Sequence, residues 1–130
     1  MSSFTLFLPA LACSRAQSTL PYLVLNEKGE IIFKDFRRKE NASIQFEEKP
    51  VWLVVLHESY RGHRYVRMIP IVFNPVYKIF EPIFVHTVSI NDTDDYIKLV
   101  KEYSFPKETE ELLIKWLSSK IGAFNVVGDV

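Results

Sequence analysis

Residues 51–73, VWLVVLHESYRGHRYVRMIPIVF, form the longest apolar block in the chain and leave it few ways to fold. Two runs rich in β-branched and aromatic residues, 51–58 and 63–73, flank the polar break Ser59-Tyr60-Arg61-Gly62. A glycine closing such a break marks a type I turn followed by a bulge, because Gly62 takes a left-handed backbone position without steric cost. That turn predicts the pairing: Glu58 faces Arg64, His57 faces Tyr65, Leu56 faces Val66, Val55 faces Arg67, Val54 faces Met68, Leu53 faces Ile69 and Trp52 faces Pro70.

Side chains alternate across a strand, so this pairing sorts the hairpin into two faces. Trp52, Val54, Leu56, Val66 and Met68 make a core face. Leu53, Val55, His57, Tyr65, Arg67 and Ile69 make a half-wet face, apolar at the strand base and polar toward the turn. A slip by one residue would set Arg67 among the core side chains, where an unpaired guanidinium is strongly unfavourable. Pro70 lacks a ladder donor and predicts that the second strand lies at an edge or breaks there.

With 130 residues, the chain makes one domain with room for a core that needs no staples. Sixteen basic and sixteen acidic residues cancel, so attraction to nucleic acid or to a membrane surface has to come from a local patch. The single cysteine, Cys13, excludes an intrachain disulfide and a cysteine-based metal site, and fits a reducing, cytoplasmic interior. Few Gln, Met and Cys beside many Lys, Glu, Ile and Val lean toward a thermophilic composition. No apolar run approaches the length of a helical membrane span. The opening apolar run lacks a basic leader and is interrupted by Pro9, so it predicts a buried strand over Phe4–Leu8 in place of an export signal.

A first hairpin, LVL-NEKG-EIIF, occupies residues 22–36, with Gly29 closing another type I turn and Leu23, Leu25, Ile31 and Phe33 on one face. A strand with Ile44 and Phe46 on one side follows over 43–48. After Asn74-Pro75 starts a turn, residues 76–80 read as a short strand or irregular piece, and Glu81-Pro82 as a break. Residues 83–90 read as a continuous, doubly buried central strand holding His86 as a core histidine. From Asn91 the period lengthens and predicts two helices. The first places Tyr96, Leu99, Val100 and Tyr103 on one stripe. The second has Pro106 in its first turn, Leu113, Trp116, Leu117 and Ile121 along its apolar face, and Gly122 as its stop.

The chemistry concentrates on the central turn. Tyr60, Arg61, His63, Arg64, Tyr65 and Arg67, with His57, interleave cations and rings as surfaces that contact phosphates, stacked bases or partner proteins do. A secondary basic cluster, Arg37, Arg38 and Lys39, sits beside Phe36. No catalytic residue, metal site or cofactor is predicted. Cys13 stands far in sequence from His57, His63 and His86, and the predicted register sends His57 and Glu58 to opposite faces. The expected fold is a single α+β domain, a curved antiparallel sheet or small barrel of about 6–7 strands with two C-terminal helices. The expected function is that of a non-enzymatic accessory protein that associates with another protein or with itself. Single-stranded nucleic-acid binding through the 58–67 hairpin is the alternative and a small enzyme the next, with no membrane partner. The Pro70 edge and the 123–130 tail are the expected interfaces.

Overall fold

A computed structural model describes residues 3–10, 21–35, 40–58, 64–91, 98 and 102–118. Among these residues lie eight strands, β1 (Phe4–Leu8), β2 (Tyr22–Leu25), β3 (Ile31–Asp35), β4 (Ala42–Phe46), β5 (Trp52–Glu58), β6 (Arg64–Asn74), β7 (Ile79–Pro82) and β8 (Val88–Asn91), followed by helix α1 (Lys107–Ser118). The sheet runs β3-β2-β5-β6-β7-β1-β4, with β8 added to β6. The β5–β6 pairs are the seven predicted from the turn, from Trp52↔Pro70 to Glu58↔Arg64. The sheet is mixed and not purely antiparallel, because β1 lies parallel to β7 at Leu6↔Phe80. Such a pairing joins distant segments and leaves no mark in a local hydrophobic pattern.

Two cores lie on opposite faces of this sheet. Leu6, Leu8, Tyr22, Val24, Phe46, Leu53, Val55, Ile69, Ile71 and Phe80 form one cluster, drawn from six strands, so the sheet curls around it into a nearly closed barrel. The seam between β3 and β4 is bridged by the rings of Phe33 and Phe46, whose centroids lie 5.8 Å apart in an edge-to-face arrangement. Leu23, Leu25, Val54, Leu56, Val66 and Met68 project outward instead and are covered by Phe105, Leu112, Leu113, Trp116 and Leu117. The predicted core face of the hairpin is thus the one under the helix. The face expected to be half-wet is buried as well at its base, where Leu53, Val55 and Ile69 enter the barrel.

Pro70 proves to be neither at an edge nor at a break. The Ile71 N–H donates to the Val51 carbonyl on the β5 flank, at 2.9 Å, so the missing Pro70 donor belongs on the opposite flank. On that flank β7 and β8 pair with successive parts of β6, separated by a 3-10 turn over Phe84–His86. The proline therefore faces the gap between two partners, while its carbonyl accepts from the Ile83 N–H at 2.8 Å. This corrects the continuous central strand expected over 83–90: Phe84, Val85 and His86 are exposed, and His86 is not a core histidine. Glu81 and Pro82, expected as a break, end β7, and residues 75–78 form the turn before it.

Phe33 also departs from expectation. β3 contains three consecutive apolar residues, and a bulge shifts the register from Leu25↔Ile31 to Val24↔Phe33. Ile31 stays under the helix, while Ile32 and Phe33 pack into the barrel. The second predicted helix is α1, with Leu113, Trp116 and Leu117 buried as expected. Ile121 and Gly122 lie outside the described residues. The first falls mostly outside them too; Lys98, Glu102 and Tyr103 carry helical backbone, but two helices are not established.

The Asn26–Gly29 turn fastens α1 to the sheet. Asn26 is buried, yet its side chain is fully engaged: Oδ1 accepts from the Lys28 and Glu30 N–H groups, and Nδ2 donates to Glu30 Oε1 and Glu48 Oε1, all at 2.9 Å. Buried Thr109 donates from Oγ1 to the Gly29 carbonyl at 2.8 Å. Gly29 has φ +77°, and a Cβ there would stand 2.9 Å from a Phe105 ring carbon. Replacing Gly29 by Ala is therefore expected to destabilise the fold by about 2–3 kcal/mol, read as a lower urea midpoint with an unchanged slope. A loss under about 0.5 kcal/mol would contradict this docking.

Candidate functional site

The curled sheet has two open ends, and chemistry-bearing side chains gather at both. The end of β5, Pro21, Asp35 and the start of β6 lie at one end; the Asn26–Gly29 turn, the start of β1 and the β6–β7 turn lie at the other.

At the first end the predicted residues are only partly in view. Tyr60, Arg61 and His63 of the central turn, and Arg37, Arg38 and Lys39 of the secondary cluster, lie outside the described residues. Arg64 is placed by its backbone pairing with Glu58. His57, Tyr65 and Arg67 do share a face, as the register predicts. His57 stands directly across from Tyr65, their rings 5.8 Å apart and inclined at 44°, and Arg67 pairs with Val55 on one side and Ser89 on the other. Arg67 is exposed, and it has no carboxylate partner among the described residues.

His57 is half-buried, and its Nδ1 is enclosed without a hydrogen-bond partner among the described residues. Burial disfavours the charged ring and pushes its pKa below the ordinary histidine value, and the nearby Arg67 guanidinium pushes it further the same way. The His57, Tyr65 and Arg67 face thus carries its positive charge on Arg67 at neutral pH.

At the second end large apolar side chains are exposed beside charged ones. Phe73 near the end of β6 stands half exposed, and Val76 and Tyr77 stand out on the β6–β7 turn, with Tyr77 73% and Val76 79% exposed. The turn is held by Asn74, whose Oδ1 accepts from the N–H groups of Val76 and Tyr77 at 2.9 and 3.3 Å. It closes at Lys78, a non-glycine residue with φ +56°. Behind it, the Phe80 ring packs against Phe73 at 5.1 Å and Phe4 at 5.7 Å. An open cleft of about 520 Å³ lies over these three rings. A second, of about 380 Å³, lies on the other side of Phe4 and Lys49 and is lined by Glu27, Glu47 and Glu48.

Sequence reasoning missed this end. Phe73, Val76 and Tyr77 have the composition of core residues, and only their place around Asn74-Pro75 hinted that a turn would expose them. Among the described residues no three His, Cys, Asp or Glu side chains converge as a metal site would need, and no helix is long and apolar enough to cross a membrane. No family model, curated protein or solved structure matches the chain.

The depressed His57 pKa has a signed consequence. The unfolded chain takes up this proton more readily than the folded one, so the stability tied to neutral His57 is whole above about pH 6.5. It is lost as pH falls through the lower folded value. Unfolding free energy is expected to drop as pH falls below about 6.5, with His57→Gln removing part of that slope. An NMR titration of the His57 ring with a midpoint at or above about 6.5 would contradict the burial argument.

Proposed function

We propose that this protein is a non-enzymatic binding domain that associates with another protein through the end bearing the β6–β7 turn. One observation carries the reading: Phe73, near the end of β6, and Val76 and Tyr77, on the adjoining turn fixed by Asn74, are exposed to solvent. Fully burying one large apolar side chain is worth roughly 1.5–3 kcal/mol, so three at one end of the sheet supply a substantial share of a stable interface. Tyr is also enriched among interface residues that dominate binding. A turn already fixed in place loses little conformational entropy on docking.

The test uses the full chain as bait in extract of the cell it comes from. Wild type is expected to retain a stoichiometric partner, and a Phe73→Ser, Tyr77→Ser double variant to lose it. Val85→Ser, a change at an exposed apolar residue on the flank of β6, is expected to keep it. Equal capture by wild type and the double variant would overturn the reading. Sedimentation velocity of the purified chain separates a foreign partner from a second copy, since self-association would appear as concentration-dependent growth lost in the same variant.

A second reading rests on the opposite end, where exposed Arg67 shares a face with Tyr65 and His57. A guanidinium beside a ring suits single-stranded nucleic acid, through phosphate contact and base stacking. Anisotropy titrations with single-stranded oligonucleotides would then show affinity falling steeply with salt and weakened by Arg67→Ala on all sequences alike. Absent or salt-independent binding would remove it.

A further inference from the structure

We propose that the cleft beside the β6–β7 turn receives an acidic segment of the partner protein carrying an aromatic or large aliphatic side chain. This rests on the association reading above and gives the partner a chemistry. The cleft exists because the β1–β7 ladder extends no further than Leu6↔Phe80. Lys78, two residues before Phe80, turns the chain away with its left-handed backbone. The space between the start of β1 and the turn has an aromatic floor: Phe80 is buried, while Phe73 is half exposed and leans against it. At about 520 Å³ it has room for a large side chain with its neighbours.

Charge selects the flanks of that side chain. Lys49 and Lys78 line the cleft, and no carboxylate among the described residues does. Lys78 has no ion-pair partner among those residues. Lys49 meets Glu27 at 3.8 Å, but both groups are largely solvated, so the pair is weak and leaves the ammonium available. Across Phe4 and Lys49 the neighbouring cleft is lined by Glu27, Glu47 and Glu48 together with Lys28 and Lys49, so its carboxylates outnumber its ammonium groups. An acidic segment is therefore favoured in the aromatic cleft over the adjoining one, which sets where it lies. Exposed Val76 and Tyr77 continue the apolar surface beyond the cleft and give the rest of the partner something to cover.

The test is a random-peptide display selection on the folded full chain, with three baits: wild type, Phe73→Ser, and Lys49→Glu combined with Lys78→Glu. Circular dichroism and urea unfolding confirm that each bait is folded. Wild type is expected to enrich sequences with an aromatic or large aliphatic residue flanked by Asp or Glu. A labelled peptide from that pool should bind about tenfold more weakly to each variant, and the charge-reversed bait should enrich basic flanks instead. No enrichment, enrichment without an acidic bias, or equal binding to all three baits would overturn the proposal. If the pool lacks an acidic bias while the Phe73→Ser, Tyr77→Ser bait still loses its cellular partner, the chemistry is wrong and the association stands. If that bait keeps its partner, the association reading itself fails.

Discussion

Everything in this fold depends on one strand serving two sets of neighbours. β6 has eleven residues, and Pro70 near its middle withholds a donor from one flank. An unbroken partner on that flank would have to leave a hydrogen bond unmade at this point, so the flank is divided between β7 and β8 with a turn between them. The division lets β6 belong to both halves of the sheet, joining β5 and β2 on one side to β7, β1 and β4 on the other. Its side chains then alternate between two cores: Val66 and Met68 under the helix, Ile69 and Ile71 inside the barrel.

The helix is held by a polar device as well as by burial. Asn26 would cost free energy as a buried amide were its oxygen and nitrogen not both engaged, and the arrival of Glu48 from the β4–β5 connection completes that set. With the turn rigid, the Gly29 carbonyl becomes a fixed acceptor for Thr109, and Phe105 packs where any larger residue than glycine would intrude. The same end of the molecule carries the β6–β7 turn, so both turns that frame the clefts are fastened by an asparagine side chain.

The central hairpin was legible in the sequence because a glycine-closed turn sets register and strict alternation then tells the two faces apart. Legibility ended where alternation did. The run Ile31-Ile32-Phe33 has no period, and the bulge that sends its members to different cores depends on how β3 meets β2. The apolar run from 83 onward looked like a buried strand because composition alone cannot say that Phe84 and Val85 face water. The parallel β1–β7 contact and the burial of Asn26 arise from segments far apart in the chain, which no local pattern encodes. The predicted site stands out by composition, yet Tyr60, Arg61 and His63 lie outside the described residues, and His57, Tyr65 and Arg67 are the ones brought onto one face. The apolar end went unnoticed because exposed aromatic residues look like core residues until topology puts them on a turn.

β6 thus welds both halves of the sheet into one cooperative unit, so that the end bearing the β6–β7 turn is a rigid platform and not a loosely attached flap. Native-state amide hydrogen exchange in low denaturant separates a platform from a flap. Amides of Leu6 and Phe80 should exchange with the same free energy and denaturant dependence as those of Leu53, Val54, Val66 and Met68, matching global unfolding. Exchange of Leu6 and Phe80 through a smaller opening that leaves β5 and the first half of β6 protected would contradict it.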